Sequence, residues 1–216
     1  MKILFIGNSY TYYNDMPAIF KALCEENGQT VEVASVTKGG WLLHRYLDVE
    51  NEYAQALRKH FAEQFDVVFM QEQSCLPVVD HALFEDGAKR IREAFGENVK
   101  RFIFYATWGR KEGSEKLTEL GMTRESMTDA LEASYKNAAQ SLGFELSPVG
   151  RAFLEMKAIA PELDLYNSDL THPSRLGSCL AALIHYHTVF GELPTSLETL
   201  MLSDTERAAL FAAAQC

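Results

Sequence analysis

The sequence has no long hydrophobic run and no excess of positive charge. None of its apolar stretches approaches the ~18 residues of a membrane-spanning helix, and the first one reaches Gly7 too soon for the core of a signal peptide. Its 20 lysine and arginine residues are outnumbered by 30 aspartate and glutamate residues, which gives a net charge of −10. That balance argues against nucleic acid or an anionic membrane as a partner. We expect a cytoplasmic protein, or an exported one if a signal peptide has been removed.

Cysteine is scarce, and the residues present lie far apart with no CxxC pair. The four cysteines are Cys24, Cys75, Cys179 and Cys216. This scatter favours free thiols in a reducing compartment over a disulfide framework or a zinc site.

The sequence also lacks the common patterns for metals and nucleotides. His185 and His187 stand two apart in a predicted helix and so face different sides, whereas His44, His60 and His81 have no acid or cysteine at ligand spacing. The phosphate-binding motifs GxxxxGKS/T and GxGxxG are missing, and so is the GxSxG motif of common α/β hydrolases. We therefore expect neither a metal nor another cofactor.

What is present is a regular alternation of apolar runs with helical patterns. Strands are predicted at 2–7, 30–36, 66–71 and 100–106, with a short one near 144–147, and helices at 16–27, 50–64, 80–96, 123–142, 174–190 and 203–214. Ser203, Asp204 and Glu206 indicate a capped first turn for the last helix. The alternation predicts βαβ units, and hence an α/β fold with a parallel sheet between helices in a single domain over 1–216. The polar stretch 109–122 is predicted to be a surface loop, with a mobile lid as the alternative.

A serine follows the first strand at the position where α/β sheets place their sites. Gly7-Asn8-Ser9-Tyr10-Thr11 comes directly after Ile3–Ile6, and Asp169-Leu170-Thr171-His172 lies near the other end of the chain. A serine hydroxyl needs a base, histidine has a suitable pKa, and a carboxylate can orient the histidine. Ser9, His172 and Asp169 are therefore candidates for a hydrolytic triad. The alternative is a plain loop before a helix, in which Asp169 caps and His172 lies on the surface.

Two further strand ends could supply donors for a developing oxyanion. Gly39-Gly40 follows the second strand and would let the backbone approach a ligand closely, unless it is a plain turn. Gln71-Glu72-Gln73-Ser74 ends the third strand with side-chain amides, which could equally be solvated loop residues. Trp108, at the end of the fourth strand, could wall a pocket or simply pack in the core.

Together these segments resemble the SGNH (GDSL-like) hydrolase superfamily over residues 2–190. Gly7-Asn8-Ser9-Tyr10-Thr11 is similar to its first block, Gly39 or Gly40 to the glycine of its second block, and Asp169-Leu170-Thr171-His172 before Pro173 to its last block. The third block differs: Gln71-Glu72-Gln73-Ser74 stands where Gly-x-Asn-Asp is usual, as in a divergent bacterial branch of the superfamily. The resemblance implies a three-layer, flavodoxin-like α/β/α fold.

The resemblance also implies a chemistry. Ser9, His172 and Asp169 would form the triad of a serine esterase, and the oxyanion would be held by the N–H groups of Ser9 and Gly40 (or Gly39) with the Gln73 amide. The residues expected around the substrate are Asn8, Trp41, Glu72 and Trp108. The expected partner is a small-molecule ester, foremost an acetyl ester of a carbohydrate, and the oligomeric state is left open. The alternatives are a lipid-ester or thioester hydrolase, an acyltransferase, and a non-catalytic module that binds carbohydrates or other small molecules.

Overall fold

The backbone is organised around a parallel sheet. The computed structural model describes residues 1–215 and contains in them β1 (Lys2–Gly7), β2 (Glu32–Thr37), β3 (Phe65–Met70), β4 (Val99–Tyr105) and β5 (Glu145–Ser147). Their order across the sheet is β2-β1-β3-β4-β5, and every neighbouring pair is parallel. The central strands β1 and β3 contain continuous apolar runs, Ile3–Ile6 and Val67–Met70, because helices cover both of their faces.

The helices connect these strands and account for most of the remaining chain. They are α1 (Ser9–Tyr12), α2 (Met16–Glu26), α3 (Glu52–Arg58), α4 (Leu76–Val79), α5 (His81–Phe95), α6 (Glu115–Leu120), α7 (Arg124–Leu142), α8 (Val149–Ile159), α9 (Arg175–Phe190) and α10 (Asp204–Ala214). Helix α10 begins with a capping box between Ser203 and Glu206, so its predicted capped start is confirmed. Across residues 1–215, none of the helices combines the length and the apolar character that crossing a membrane requires.

Several helices differ from the prediction. The sequence does not predict helix α8, because Pro148, Val149 and Gly150 at its start are poor helix formers. The helix is stabilised by the burial of one of its faces. The stretch 109–122, predicted as a loop, contains α6, whose Leu117 packs against α7. The short helices α1 and α4 were also not predicted, and α3 is shorter than the predicted 50–64.

Side chains that alternate along the strands divide the core between the two faces of the sheet. Phe5 and Phe69 point toward α2, α8 and α9, and their rings stack with centroids 4.7 Å apart. Leu4 and Val68 point the other way, toward α5 and α7. The predicted three-layer α/β/α fold is therefore confirmed.

The cysteines described by the structure lie in this interior. Cys24, Cys75 and Cys179 are buried and unpaired, as expected for free thiols. Cys216 lies outside the described residues.

The parallel arrangement brings the carboxyl ends of the strands to one edge of the sheet. Gly7 pairs with Thr37, and Ile6 with Met70, so the loops that follow β1, β2 and β3 leave the sheet side by side. Segments 30 or more residues apart in the sequence are neighbours at this edge.

Candidate active site

Ser9 is presented at the edge of the sheet by a sharp change from strand to helix. β1 ends at Gly7, and Asn8 caps α1 by accepting a hydrogen bond at Oδ1 from the N–H of Tyr10, 3.1 Å away. Ser9 is the first residue of α1 and keeps 8% of its surface exposed. Its N–H lies where a helix has no internal acceptor, so the group is free to donate to a ligand.

Gln71 locks this turn from the neighbouring strand. Its side-chain Oε1 accepts hydrogen bonds from the N–H of Asn8 and from the hydroxyl of Thr11, both at 2.9 Å. A Cβ atom on Gly7 would come within 2.7 Å of that oxygen and 2.3 Å of Thr11 Oγ1. Glycine is required at position 7 because the Gln71 side chain crosses directly over it, and the crossing fixes the orientation of the Ser9 turn.

Asp169 and His172 lie on a closed loop between α8 and α9. The loop is tied at its base by a bridge between Tyr166 and Pro173 and by a 2.8 Å hydrogen bond from the N–H of Asn167 to the His172 carbonyl oxygen. Leu170 at its tip has a φ of +61°, a left-handed conformation that is unusual for a side chain other than glycine. Such strain is typical of loops whose geometry serves a site.

A continuous chain of hydrogen bonds joins the serine, the histidine and the aspartate. His172 Nε2 lies 2.8 Å from Ser9 Oγ, and His172 Nδ1 lies 2.6 Å from Asp169 Oδ2. The other carboxylate oxygen of Asp169 accepts from the N–H groups of Thr171 and His172, at 3.0 and 2.9 Å. The ring of Tyr13 stacks on the imidazole, with centroids 4.1 Å apart and planes within 7°. The imidazole is thus held from its edge and from its face.

These contacts determine the ionisation of Asp169 and the position of the proton on the imidazole. Partial burial works to raise the pKa of Asp169, but the hydrogen bonds from His172 and from the backbone outweigh it, and the pKa lies below its ordinary value. An ionised Asp169 holds the proton of the imidazole on Nδ1, which leaves Nε2 free to accept the proton of the Ser9 hydroxyl. The arrangement can therefore generate a serine nucleophile.

A small cavity lies directly in front of Ser9. Its volume is about 190 Å³, and it is lined by Asn8, Ser9, Tyr10, Gly40, Gln73, Ser74, Arg110, Thr171 and His172. A larger cavity, of about 460 Å³, lies between α7, α8, α9 and α10, but none of the three hydrogen-bonded residues lines it. The chemistry therefore belongs to the smaller cavity.

Ser9, Gly40 and Gln73, the residues predicted to hold a developing oxyanion, line this cavity and carry N–H donors. Among residues 1–215, no protein acceptor is bonded to the N–H of Ser9 or of Gly40. The side-chain oxygen of Gln73 accepts from the N–H groups of Cys75 and Leu76, at 2.8 and 3.1 Å. Its Nε2 donates one hydrogen bond to Ser74 Oγ at 3.4 Å, which leaves the second N–H of the amide for a ligand. Of the two glycines considered from the sequence, Gly40 lines the cavity and Gly39 does not.

Three of the residues expected around the substrate do not line the cavity. Trp108 is fully buried because it stacks between Tyr10 and Phe153, and its indole N–H donates to the Thr171 carbonyl oxygen at 3.1 Å. Glu72 is also fully buried. Trp41 takes part through its carbonyl oxygen, which accepts from the Asn8 amide at 3.1 Å. Trp108 and Glu72 support the site from behind, and because both are fully buried the expectation that they contact substrate is wrong for this geometry. Trp41 is partly exposed, and its contact with substrate stays a prediction.

Several residues that the structure brings to the site are not predicted from the sequence. Tyr10 lines the cavity and Tyr13 covers the imidazole, and their place within four residues of Ser9 was a usable signal. Ser74 and Thr171 lie next to predicted residues and line the cavity as well. Arg110 could not be predicted as a site residue, because nothing in the sequence distinguishes it from Lys111. In the structure Arg110 lines the cavity, whereas Lys111 pairs with Asp164. Within residues 1–215, no group of three or more histidine, cysteine or acidic side chains is placed to hold a metal ion.

Comparisons with known proteins agree with the fold. No protein-family model and no curated protein sequence matches the chain. Among solved structures, a candidate SGNH hydrolase from Slackia heliotrinireducens is 30% identical, with a TM-score of 0.75 over 88% of this chain and 98% of its own. A DUF4886 family protein from Bacteroides uniformis is 20% identical, with a TM-score of 0.80 over 100% of this chain and 93% of its own.

A third similar structure is a catalytic serine-to-alanine mutant of an acetylxylan esterase from Geobacillus stearothermophilus. It is 16% identical, with a TM-score of 0.63 over 91% of this chain and 97% of its own. The likeness to this esterase and to the Bacteroides protein is one of fold, whereas the Slackia protein is also related in sequence over most of both chains. The chain belongs to the SGNH hydrolase superfamily and is an enzyme of the serine hydrolase type.

Proposed function

We propose that this protein is a serine esterase that removes small acyl groups, foremost acetyl, from carbohydrate esters. The observation that carries the proposal is the chain of hydrogen bonds from Ser9 through His172 to Asp169, at 2.8 and 2.6 Å. The three residues act as nucleophile, base and orienting acid.

The reaction follows from these positions. Ser9 Oγ attacks the ester carbonyl while its proton moves to His172 Nε2, and Asp169 stabilises the imidazolium that forms. The N–H groups of Ser9 and Gly40, with the Gln73 amide, hold the oxyanion, each such donor being worth about 3 kcal/mol in the transition state. His172 then protonates the leaving alcohol, and water, activated by the same histidine, releases the acid from the acyl-serine.

The size of the cavity supports a small acyl group. About 190 Å³ is well below the roughly 300–1,000 Å³ of pockets that bury drug-sized ligands. Carbohydrate as the alcohol part rests on a weaker argument, namely that acetylxylan esterases share the fold. A screen of acetylated sugars, with released acetate as the readout, tests this part separately.

The first experiment labels the protein with a serine-directed organophosphonate and measures the intact mass. We expect one adduct on the wild type, none on Ser9→Ala or His172→Ala, and an unaltered adduct on Ser141→Ala, an exposed serine on α7. Peptide mapping separates Ser9 from Ser74, the other serine of the cavity. A folded wild-type protein that takes no adduct would favour a non-catalytic binding module on the same fold.

A further inference from the structure

Arg110 places a guanidinium group in the wall of the cavity that contains Ser9 and His172. Its two terminal nitrogens each donate one hydrogen bond to a neutral hydroxyl, from Nη1 to Thr171 Oγ1 at 3.0 Å and from Nη2 to Ser74 Oγ at 3.1 Å. Its Nε is buried and has no partner. Since a guanidinium has five N–H donors, three of them have no acceptor in the protein.

The charge of Arg110 is also uncompensated. Along the chain from position 1 to 215, no carboxylate lies within 4 Å of its guanidinium, although the protein carries 30 acidic residues. The neighbouring cations are paired: Lys111 with Asp164, and Lys116 with Glu119. A half-buried arginine that serves only to tie loops together is normally satisfied by carboxylates or carbonyl oxygens. The free donors and the free charge are therefore suited to an anionic ligand.

We propose that Arg110 is a specificity-determining residue that binds a carboxylate on the alcohol part of the ester. Arginine recognises carboxylates through paired N–H donors in a fixed plane, and the partly water-excluded wall strengthens the contact. The alcohol side is assigned because Arg110 is bonded to Thr171, the neighbour of His172, and His172 protonates the leaving alcohol. This assignment rests on the proposed esterase function and narrows its substrates to acidic alcohols, such as acetylated sugar acids.

The test compares two acetyl esters of nearly equal shape, 3-acetoxybenzoate and 3-acetoxybenzamide, by their kcat/KM values. We expect the wild type to prefer the carboxylate ester by about 10- to 100-fold, the range for a charge-assisted hydrogen-bonded pair. Added salt should reduce the preference, because it screens the contact. The mono-4-nitrophenyl ester of succinic acid carries its carboxylate on the acyl side. We expect the wild type to hydrolyse it with a kcat/KM no higher than that for 4-nitrophenyl butyrate.

Arg110→Gln supplies the variant and Lys111→Gln its matched control. Arg110→Gln should bring the ratio of the two kcat/KM values close to one, whereas Lys111→Gln should retain the wild-type ratio. If Arg110→Gln lowers both rates by the same factor and keeps the ratio, Arg110 merely holds the loops and the proposal is wrong. A preference for the succinate ester would overturn the assignment to the alcohol side.

The organophosphonate adduct separates this proposal from the one on which it rests. An adduct on the wild type and on Arg110→Gln shows that Ser9 is activated in both, so the ratio can be interpreted. If the wild type takes the adduct but hydrolyses both acetoxy esters with equal kcat/KM, the proposed role of Arg110 is wrong and the esterase function is not contradicted. A wild type without the adduct contradicts the esterase function itself.

Discussion

Replacing Glu72 with glutamine should remove most of the pH dependence of stability above pH 6.5. The Glu72 carboxylate is fully buried behind the active-site loop and has no cation among its partners in residues 1–215. It accepts hydrogen bonds from the N–H of Leu43, at 3.2 Å, and of Gln73, at 2.5 Å. Burial raises the pKa of Glu72 to about 8, and these two backbone hydrogen bonds offset the effect only in part.

The magnitude follows from the difference between the folded and unfolded pKa values. A carboxyl group with a pKa raised from 4.5 to about 8 favours folding while it is protonated. Its contribution is complete below pH 4.5 and is lost as the pH rises toward 8. Integrated from pH 6.5 to 8.5, the loss is about 2 kcal/mol of unfolding free energy.

Other titrating groups have little effect in this pH window. Burial lowers the pKa of His185 to about 3, so its contribution rises with pH and is nearly complete by pH 6.5. The carboxylates with lowered pKa values are ionised in both the folded and the unfolded state, and the raised pKa values of the Cys24 and Cys179 thiols act only above about pH 9. We therefore expect a stability maximum near pH 6.5 and a decline above it.

The assay is urea unfolding at pH 6.5 and 8.5, followed by tryptophan fluorescence and far-UV circular dichroism. Glutamine keeps an oxygen for the N–H groups of Leu43 and Gln73, so Glu72→Gln should resemble the wild type at pH 5 and lose less than about 0.5 kcal/mol between pH 6.5 and 8.5. A wild type with equal unfolding free energies at the two pH values would refute the reasoning. So would a variant that declines as steeply as the wild type.

Two further predictions concern the loop that carries Asp169 and His172. Asp169→Asn should lower kcat for 4-nitrophenyl acetate by about 10²- to 10⁴-fold at an unchanged Tm, since an amide stabilises neither the required tautomer nor the imidazolium; a loss of less than threefold would contradict its role. Gly177→Ala should lower the unfolding free energy by about 1–3 kcal/mol, although alanine usually stabilises a helix, because the new Cβ would lie 2.4 Å from the Leu165 carbonyl oxygen at the base of the loop. Thermal unfolding measures this, and a more stable variant would show that the loop can move away.

Much of the fold could be predicted because its signals are local. The run Ile3–Ile6 and the run Val67–Met70 are apolar at every position, which only a strand covered on both faces requires. Helix α8 escaped prediction because its stability comes from packing, which a window of sequence does not contain.

In the candidate site, too, some residues could be predicted from the sequence and others could not. Ser9 and the Asp169–His172 pair could be found from sequence, since each lies in a short segment whose residue types point to one chemistry. The orientation of Trp108 could not, because stacking between Tyr10 and Phe153 involves residues far apart in the chain. The placement of Arg110 in the cavity could not be predicted either, because it depends on hydrogen bonds to Ser74 and Thr171, which lie 36 and 61 residues away in the sequence.

Short segments of the sequence are enough to predict the strands, the order of the motifs and the residue types available for catalysis, because these depend on periodicity and chemistry over a few neighbouring residues. That Ser9 and His172, 163 residues apart, meet at 2.8 Å follows from the folded arrangement alone. The same arrangement places the Gln71 side chain over Gly7, where it fixes the serine, and leaves Arg110 without a counter-charge at the site. Such contacts depend on which distant side chains fill the space at the sheet's carboxyl edge, and that information is held by the packed chain as a whole.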